Sequence, residues 1–350
     1  MPRSSCMWIA IAFALSACSA PAQIRDLRDA EANERAGRHE DALENYRAAQ
    51  TRCHSIVSPR MRTQSCAAAH LQYAELLVTM GRKREAIAAY LDAEEELSDN
   101  RSAAAQACYA VSVLYSELGD TEKTYEYAWK VVTKYSNEGF AADAMKRIVR
   151  DGRRRAPEEL RTELQRLSAV LNNTQVSDNI LEALAQLEEV EFSSPKTALH
   201  YYDMLVRAHP ESGFFDDALW HGARLARSLG DAKGAVRRLR KLLSTRVVAL
   251  GAGSYFSVWL DNAQLELGIV LRDDLSDYDA AIRAFATLPS DYPASLLRDD
   301  ALYERAVTKV KAGRKAEACK DLSKLLKKYP DSKYELEAAP KLRTELGCVL

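Results

Sequence analysis

Residues Asp299 to Ser332 read DDALYERAVTKVKAGRKAEACKDLSKLLKKYPDS, and this stretch sets the reading of the whole chain. Ala301, Leu302, Ala306, Val307 and Val310 recur at helical spacing, which predicts a first helix. Gly313 breaks it, because glycine takes a positive φ without strain. Ala316, Ala318, Leu322, Leu325 and Leu326 predict a second helix, ended after Tyr329 by Pro330. Neither helix can bury its apolar stripe alone. Each needs its partner and the next pair along, which is how a solenoid is built.

The same pattern recurs along the chain. Gly37, Gly81, Gly119, Gly230 and Gly313 each follow an apolar helical run. Five places later stand Ala42, Ala86, Thr124, Ala235 and Ala318. Nine places after the glycine come Tyr46, Tyr90 and Leu322 in three of these copies. In two more copies Ser193 and Ser276 stand where the glycine should be, with Ala198 and Ala281, then Tyr202 and Phe285. Pro210, Pro293 and Pro330 lie seventeen places after the turn. A small residue lets paired helices approach, a bulky one fills the gap beside it, and proline closes the second helix.

This pattern resembles the tetratricopeptide repeat, although the usual Trp and Gly of the first helix are mostly replaced. Ala30, Ala74, Ala223 and Ala306 hold the glycine's place. The resemblance implies an all-α, right-handed α-solenoid of about eight helix pairs with a C-terminal capping helix. Composition agrees: 14 Gly and 10 Pro in 350 residues leave a helix-favouring chain. A formal net charge of −1 gives no general attraction to nucleic acid, so no nucleic-acid partner is expected.

The N-terminus reads as a targeting segment. Arg3 precedes the apolar run Met7–Leu15, which is too short to span a bilayer. Leu15-Ser16-Ala17-Cys18 resembles the lipobox of bacterial lipoproteins. The resemblance implies that residues 1–17 leave as a signal peptide and that Cys18 carries lipid, palmitate included. The alternative is an ordinary secretory signal cut nearby. By the enteric sorting rule, Ser19 points to the periplasmic face of the outer membrane. Residues 18–23 form the anchor and a short linker. Its five residues from Ser19 to Gln23 reach roughly 17 Å when extended, so the repeats are expected close to the membrane.

Three further segments follow: N-terminal repeats over 24–134, a degenerate repeat over 135–172, and C-terminal repeats with the capping helix over 173–350. The first pair spans Ile24–Gln50 and the second Ala67–Leu97, separated by a long excursion, Thr51–Ser65. Asp92–Glu96 (DAEEE) reads as a solvated face. Phe140–Asn172 is expected to hold the degenerate pair, turning at Asp151–Pro157. Arg153, Arg154 and Arg155 in that turn read either as charges at a helix C-terminus or as a contact for an anion. Lys233, Arg237, Arg238, Arg240 and Lys241 read as a solvated basic helix. Val247–Gly253 is expected to be an irregular link, Ser254–Leu288 a pair with an extended first helix, and Tyr334–Cys348 the cap.

Four joints share a design: His209-Pro210-Glu211-Ser212, Tyr292-Pro293-Ala294-Ser295, Tyr329-Pro330-Asp331-Ser332 and Tyr135-Ser136-Asn137-Glu138. Asp217-Ala218-Leu219 and Asp300-Ala301-Leu302 follow two of them. The serine is expected to N-cap the next helix. These joints resemble those of periplasmic repeat proteins, both the BamD-like outer-membrane assembly lipoproteins and the Tol-Pal-associated coordinators. The resemblance implies a non-enzymatic envelope scaffold whose partners are envelope proteins or peptides, possible roles being outer-membrane protein assembly or cell-wall and division coordination. The coordinators' N-terminal coiled coil would need a heptad run, and none is present.

No catalytic motif emerges. HExxH, GxSxG and a phosphate loop are absent, and Gly251-Ala252-Gly253 lacks the context of a dinucleotide site. His39, His54, His70, His200, His209 and His221 lie apart, and none pairs with Cys or another His at metal spacing. No metal, cofactor or small-molecule substrate is therefore expected. A peptidoglycan-acting enzyme would need a separate catalytic domain, for which no length remains.

Five cysteines lie beyond the anchor. In an exported protein Cys53 with Cys66, and Cys319 with Cys348, are candidate disulfides, while Cys108 is expected to stay a buried thiol. Carrying over the repeat family's groove positions gives Tyr109, Trp220, Arg224 and Tyr303, flanked by Asp217 and Arg227. These are candidate partner contacts along the concave face, where the first helices lie. The lysine and asparagine set of the carboxylate-clamp subfamily is not in place.

Overall fold

The structure is a computed structural model that describes residues 22–246 and 257–348. Cys18, the signal peptide, most of the linker and the link at Val247–Gly253 lie outside the described residues. All regular structure within them is helical. Helix α1 starts at Ala22, two residues earlier than the sequence suggests.

The chain divides into two compact units, Met1–Ala144 and Met145–Leu350. The first holds α1 (Ala22–Arg35), α2 (His39–Cys53), α3 (Pro59–Thr79), α4 (Lys83–Glu96), α5 (Arg101–Glu117) and α6 (Thr121–Lys134). Helix α7 (Gly139–Arg155) carries the boundary. The second unit continues with α8 (Pro157–Val170), α9 (Ser177–Gln186), α10 (Pro195–Ala208), α11 (Phe215–Ser228) and α12 (Ala232–Leu243). It ends with α13 (Leu260–Asp273), α14 (Tyr278–Asp291), α15 (Arg298–Lys311), α16 (Lys315–Lys328) and the cap α17 (Ala338–Leu346). Successive helices pack on each other from α1 to α6 in the first unit and from α8 to α17 in the second, and first helices touch the next first helix, as α1 does α3 and α13 does α15.

The turn positions behave as one set. Gly37, Gly81, Gly119, Gly230 and Gly313 have φ between 72° and 83°. Ser193 and Ser276, their two substitutes, are held at φ 47° and 54°, a region that costs an L-residue about 1–2 kcal/mol. Ala42, Ala86, Ala198, Ala235, Ala281 and Ala318 are all fully buried, and Tyr46, Tyr202, Phe285 and Leu322 are buried beside them. Gly268 shows why the first helix needs a small residue: a Cβ there would sit 2.4 Å from the Phe285 ring.

Several expectations are corrected. The excursion at Thr51–Ser65 is mostly helix, because α2 runs to Cys53 and Pro59 opens α3 at a position where its missing N–H is no loss. The turn expected at Asp151–Pro157 shrinks to Ala156, since α7 continues through Arg155. Arg153 there pairs with Glu191 at 2.9 Å. Helix α13 is not extended among the described residues. The cap begins only at Ala338 and ends at Gly347 in the left-handed region.

The acidic run is not wholly solvated either. Glu94 is 4% exposed and receives hydrogen bonds from Lys130 (2.7 Å), Lys134 (2.9 Å) and the Tyr135 hydroxyl (2.8 Å). Burial acts to raise its pKa, but those three donors outweigh burial and lower it.

The joint serines do not N-cap. Helices α11 and α15 begin three residues past Ser212 and Ser295, and their N-cap residues, Phe214 and Leu297, make no side-chain cap. Instead Ser212, Ser295 and Ser332 donate to Asp178, Asp261 and Asp299, each at 2.6 Å. The same hydroxyls accept from the N–H two residues on, at Phe214, Leu297 and Tyr334. Each serine thus ties the joint back to the start of its own pair's first helix.

Candidate interaction surface on the first helices

Helix α11 places Asp217, Trp220, His221 and Arg224 on neighbouring turns of one side. Trp220 is 9% exposed and stacks on Trp259, ring centres 5.2 Å apart and planes 11° apart. The Trp259 indole N–H donates to Asp217 at 2.6 Å, which fixes the pair across α11 and the start of α13. Arg224 is exposed, its guanidinium 5.9 Å from the Trp220 ring centre.

The structure therefore brings together three of the six candidates, Asp217, Trp220 and Arg224. Arg227 is committed to Glu266 (2.8 Å) and Asp274 (2.7 Å) on the next pair. Tyr303 stacks on Tyr334 at 4.0 Å, with the Tyr334 hydroxyl donating to Asp300 at 2.8 Å. Tyr109 lies in the other unit, against Phe140 at 5.7 Å.

Charged neighbours of this cluster escaped the sequence reading. Helix α9 runs into a π-helical turn, Leu187–Glu191, before the strained Ser193. That turn carries Glu189, which takes a hydrogen bond from the Tyr202 hydroxyl (2.9 Å) and faces His221 Nδ1 at 3.1 Å. The contact raises the His221 pKa. At Glu189, burial works upward, but His221 and Tyr202 outweigh it and lower the carboxyl.

Glu182, about two turns earlier, has less relief, since Gln186 and His221 do not offset its burial. It is 6% exposed, accepts from Gln186 at 2.6 Å through one oxygen, and leaves Oε2 without a hydrogen-bond partner. Burial, reinforced by Asp217 and Glu189, pushes its pKa up to about 7. A π turn is the kind of irregularity that periodicity cannot show. The only hint in sequence is the doubled spacing between Gly119 and Ser193.

In the first unit, Cys53 and Cys66 are bonded, with Cα atoms 5.1 Å apart. In the second, Cys319 and Cys348 are bonded at 5.5 Å. Both separations suit an unstrained bridge. Cys108 is a buried free thiol whose pKa burial pushes up to about 12. The expectation that no histidine meets a Cys or His at metal spacing is corrected. Closing the α2–α3 hairpin brings Cys53, His54 and His70 together, with potential ligand atoms within 4.8 Å of one another.

Residues 262–295 and 300–332, spanning α13–α14 and α15–α16, match the tetratricopeptide repeat family. No curated protein matches the chain. Among solved structures, YrrB, a TPR protein with an unusual peptide-binding site, is 16% identical, with 72% of this chain and 97% of that one covered at a TM-score of 0.38. PilW, a type IV pilus biogenesis factor, is 15% identical over 77% and 96% of the two chains, TM-score 0.37. A tetratricopeptide repeat protein from Parabacteroides merdae is 14% identical over 93% and 99%, TM-score 0.31. The paired helices, their turn geometry and the two matched repeats make the chain's fold a tetratricopeptide-type α-solenoid.

Proposed function

We propose that this chain is a non-enzymatic adaptor of the bacterial envelope, held to the outer membrane by lipid on Cys18, that binds a protein partner along its first-helix face in outer-membrane protein assembly. The observation that carries the binding role is the cluster of Trp220, Trp259 and Arg224 beside Glu182, whose Oε2 has no hydrogen-bond partner. Tryptophan and arginine are the residue types that most often dominate protein interfaces. The envelope setting rests on the lipobox-like Leu15–Cys18 and on the joint sequences.

Two experiments test this. Cys18→Ala is expected to yield an unprocessed or soluble form, since two or three acyl chains anchor far more durably than one. Normal processing and membrane fractionation of that variant would remove the anchor. Secondly, the lipidated protein is recovered from solubilised membranes with its partners, alongside Arg224→Ala and Trp220→Phe. Arg224 is exposed, so its loss should reduce partner recovery and leave helicity intact. Recovery of an outer-membrane assembly component supports the reading, and recovery of Tol-Pal components transfers it to the coordinator class. Undiminished recovery by both variants moves the site elsewhere, to the basic helix around Arg237.

A further inference from the structure

The end of the first unit's α2–α4 layer carries a cluster unrelated to the first-helix face. His54 caps the C-terminus of α2, His70 lies on α3, and Glu96 is the last residue of α4. All three line one open pocket, together with Gln50, Asp92 and Glu95. His70 is 8% exposed and lines this pocket. His54 Nε2 lies 3.8 Å from Glu96 Oε2, and ring nitrogens of His54 and His70 lie within 4.8 Å.

We propose that His54, His70 and Glu96 form a binding site for a divalent transition metal of borderline softness, such as Zn²⁺. Imidazole and carboxylate are the donors such ions prefer, and two His with one carboxylate leave coordination positions for water. Around a tetrahedral ion with bonds of about 2.0–2.1 Å, donors stand roughly 3.3 Å apart. His54 and Glu96 stand near that spacing already, at 3.8 Å. Both His54 and Glu96 are exposed, so a bound ion can draw them toward His70 without disturbing buried packing. The sulfur of Cys53 also lies within reach, but it is bonded to Cys66 and offers no thiolate. The disulfide instead holds the end of α2 against α3, which brings the two histidines together. A bound ion would clip α2, α3 and α4, and so stabilise the fold that binds it.

The test is calorimetric titration of the full chain, disulfides intact, with ZnCl₂, and with MgCl₂ as a hard-cation control. Zn²⁺ should bind once and raise the melting temperature, and Mg²⁺ should do neither. His54→Ala and His70→Ala should each weaken Zn²⁺ binding by at least roughly tenfold, since even outer partners of a metal ligand cost that much. His54 is exposed, so its variant keeps the fold even if His70→Ala does not, and circular dichroism checks both. Absence of Zn²⁺ binding by the parent chain, or undiminished binding by His54→Ala, overturns the proposal.

Discussion

Glu182→Gln should make this protein more stable, with a gain that is absent at pH 4, grows between pH 4.5 and 7, and is full above pH 7. Burial holds the Glu182 carboxyl near pKa 7 against an ordinary 4.5. Asp217 and Glu189 push the same way, while Gln186 donates one hydrogen bond and His221 offers partial compensation. A folded pKa above the unfolded one means that this group's contribution is full below pH 4.5. It is lost progressively as pH rises from 4.5 through 7. Each pKa unit is worth about 1.4 kcal/mol, so an ionised Glu182 destabilises the fold by about 3 kcal/mol at pH 8. Glutamine keeps the shape and cannot ionise. At pH 4 the two proteins should therefore unfold alike, and at pH 8 the variant should be more stable by up to about 3 kcal/mol. For a unit of this size that raises the melting temperature by roughly 6–12 °C. His221 and Glu189 titrate in both proteins, so comparing the variant's gain at the two pH values isolates Glu182. A variant no more stable than its parent at pH 8, or equally stabilised at both pH values, would refute the reasoning. If Glu182 also serves the proposed partner site, the same variant will hold its partner less well, the usual exchange between stability and function.

Ser193→Gly and Ser276→Gly should each stabilise by about 1 kcal/mol, because glycine takes the positive φ both serines are held in; melting temperatures that stay level or fall would show the turns are unstrained. Ser295→Ala removes the bond to Asp261, a hydrogen bond to a carboxylate worth about 1.5–3 kcal/mol, and urea unfolding at an unchanged midpoint would count against a structural role for the joint. The Cys108 thiol, buried and pushed up to about 12, should resist iodoacetamide at pH 8 until the chain is denatured. Rapid labelling of the native protein would mean the α5–α6 pair opens readily.

Sequence by itself determined the repeat. The turn position, the small residue five places on and the bulky one after it are short-range requirements: a left-handed backbone residue, a close helix contact, a filled gap. Each leaves its trace within about twenty residues. Even Ser193 and Ser276 were legible as glycine substitutes, because the neighbouring alanines and aromatics kept their register. Sequence also pointed to Cys53 with Cys66 and to Cys319 with Cys348, since each pair brackets one hairpin or one docking helix. What it could not carry is any contact made between helices through side chains whose partners lie thirty or forty residues away. The joint serines looked like caps and instead reach back to Asp178, Asp261 and Asp299. Glu94 looked solvated in an acidic run, yet its three donors come from α6 and the joint beyond it. Trp220 looked like an open groove residue, until Trp259 was found stacked upon it. Packing periodicity is written locally, because a helix turn is a local object. Charge, burial and the meeting of donors depend on which helices become neighbours, and only the tertiary structure decides that.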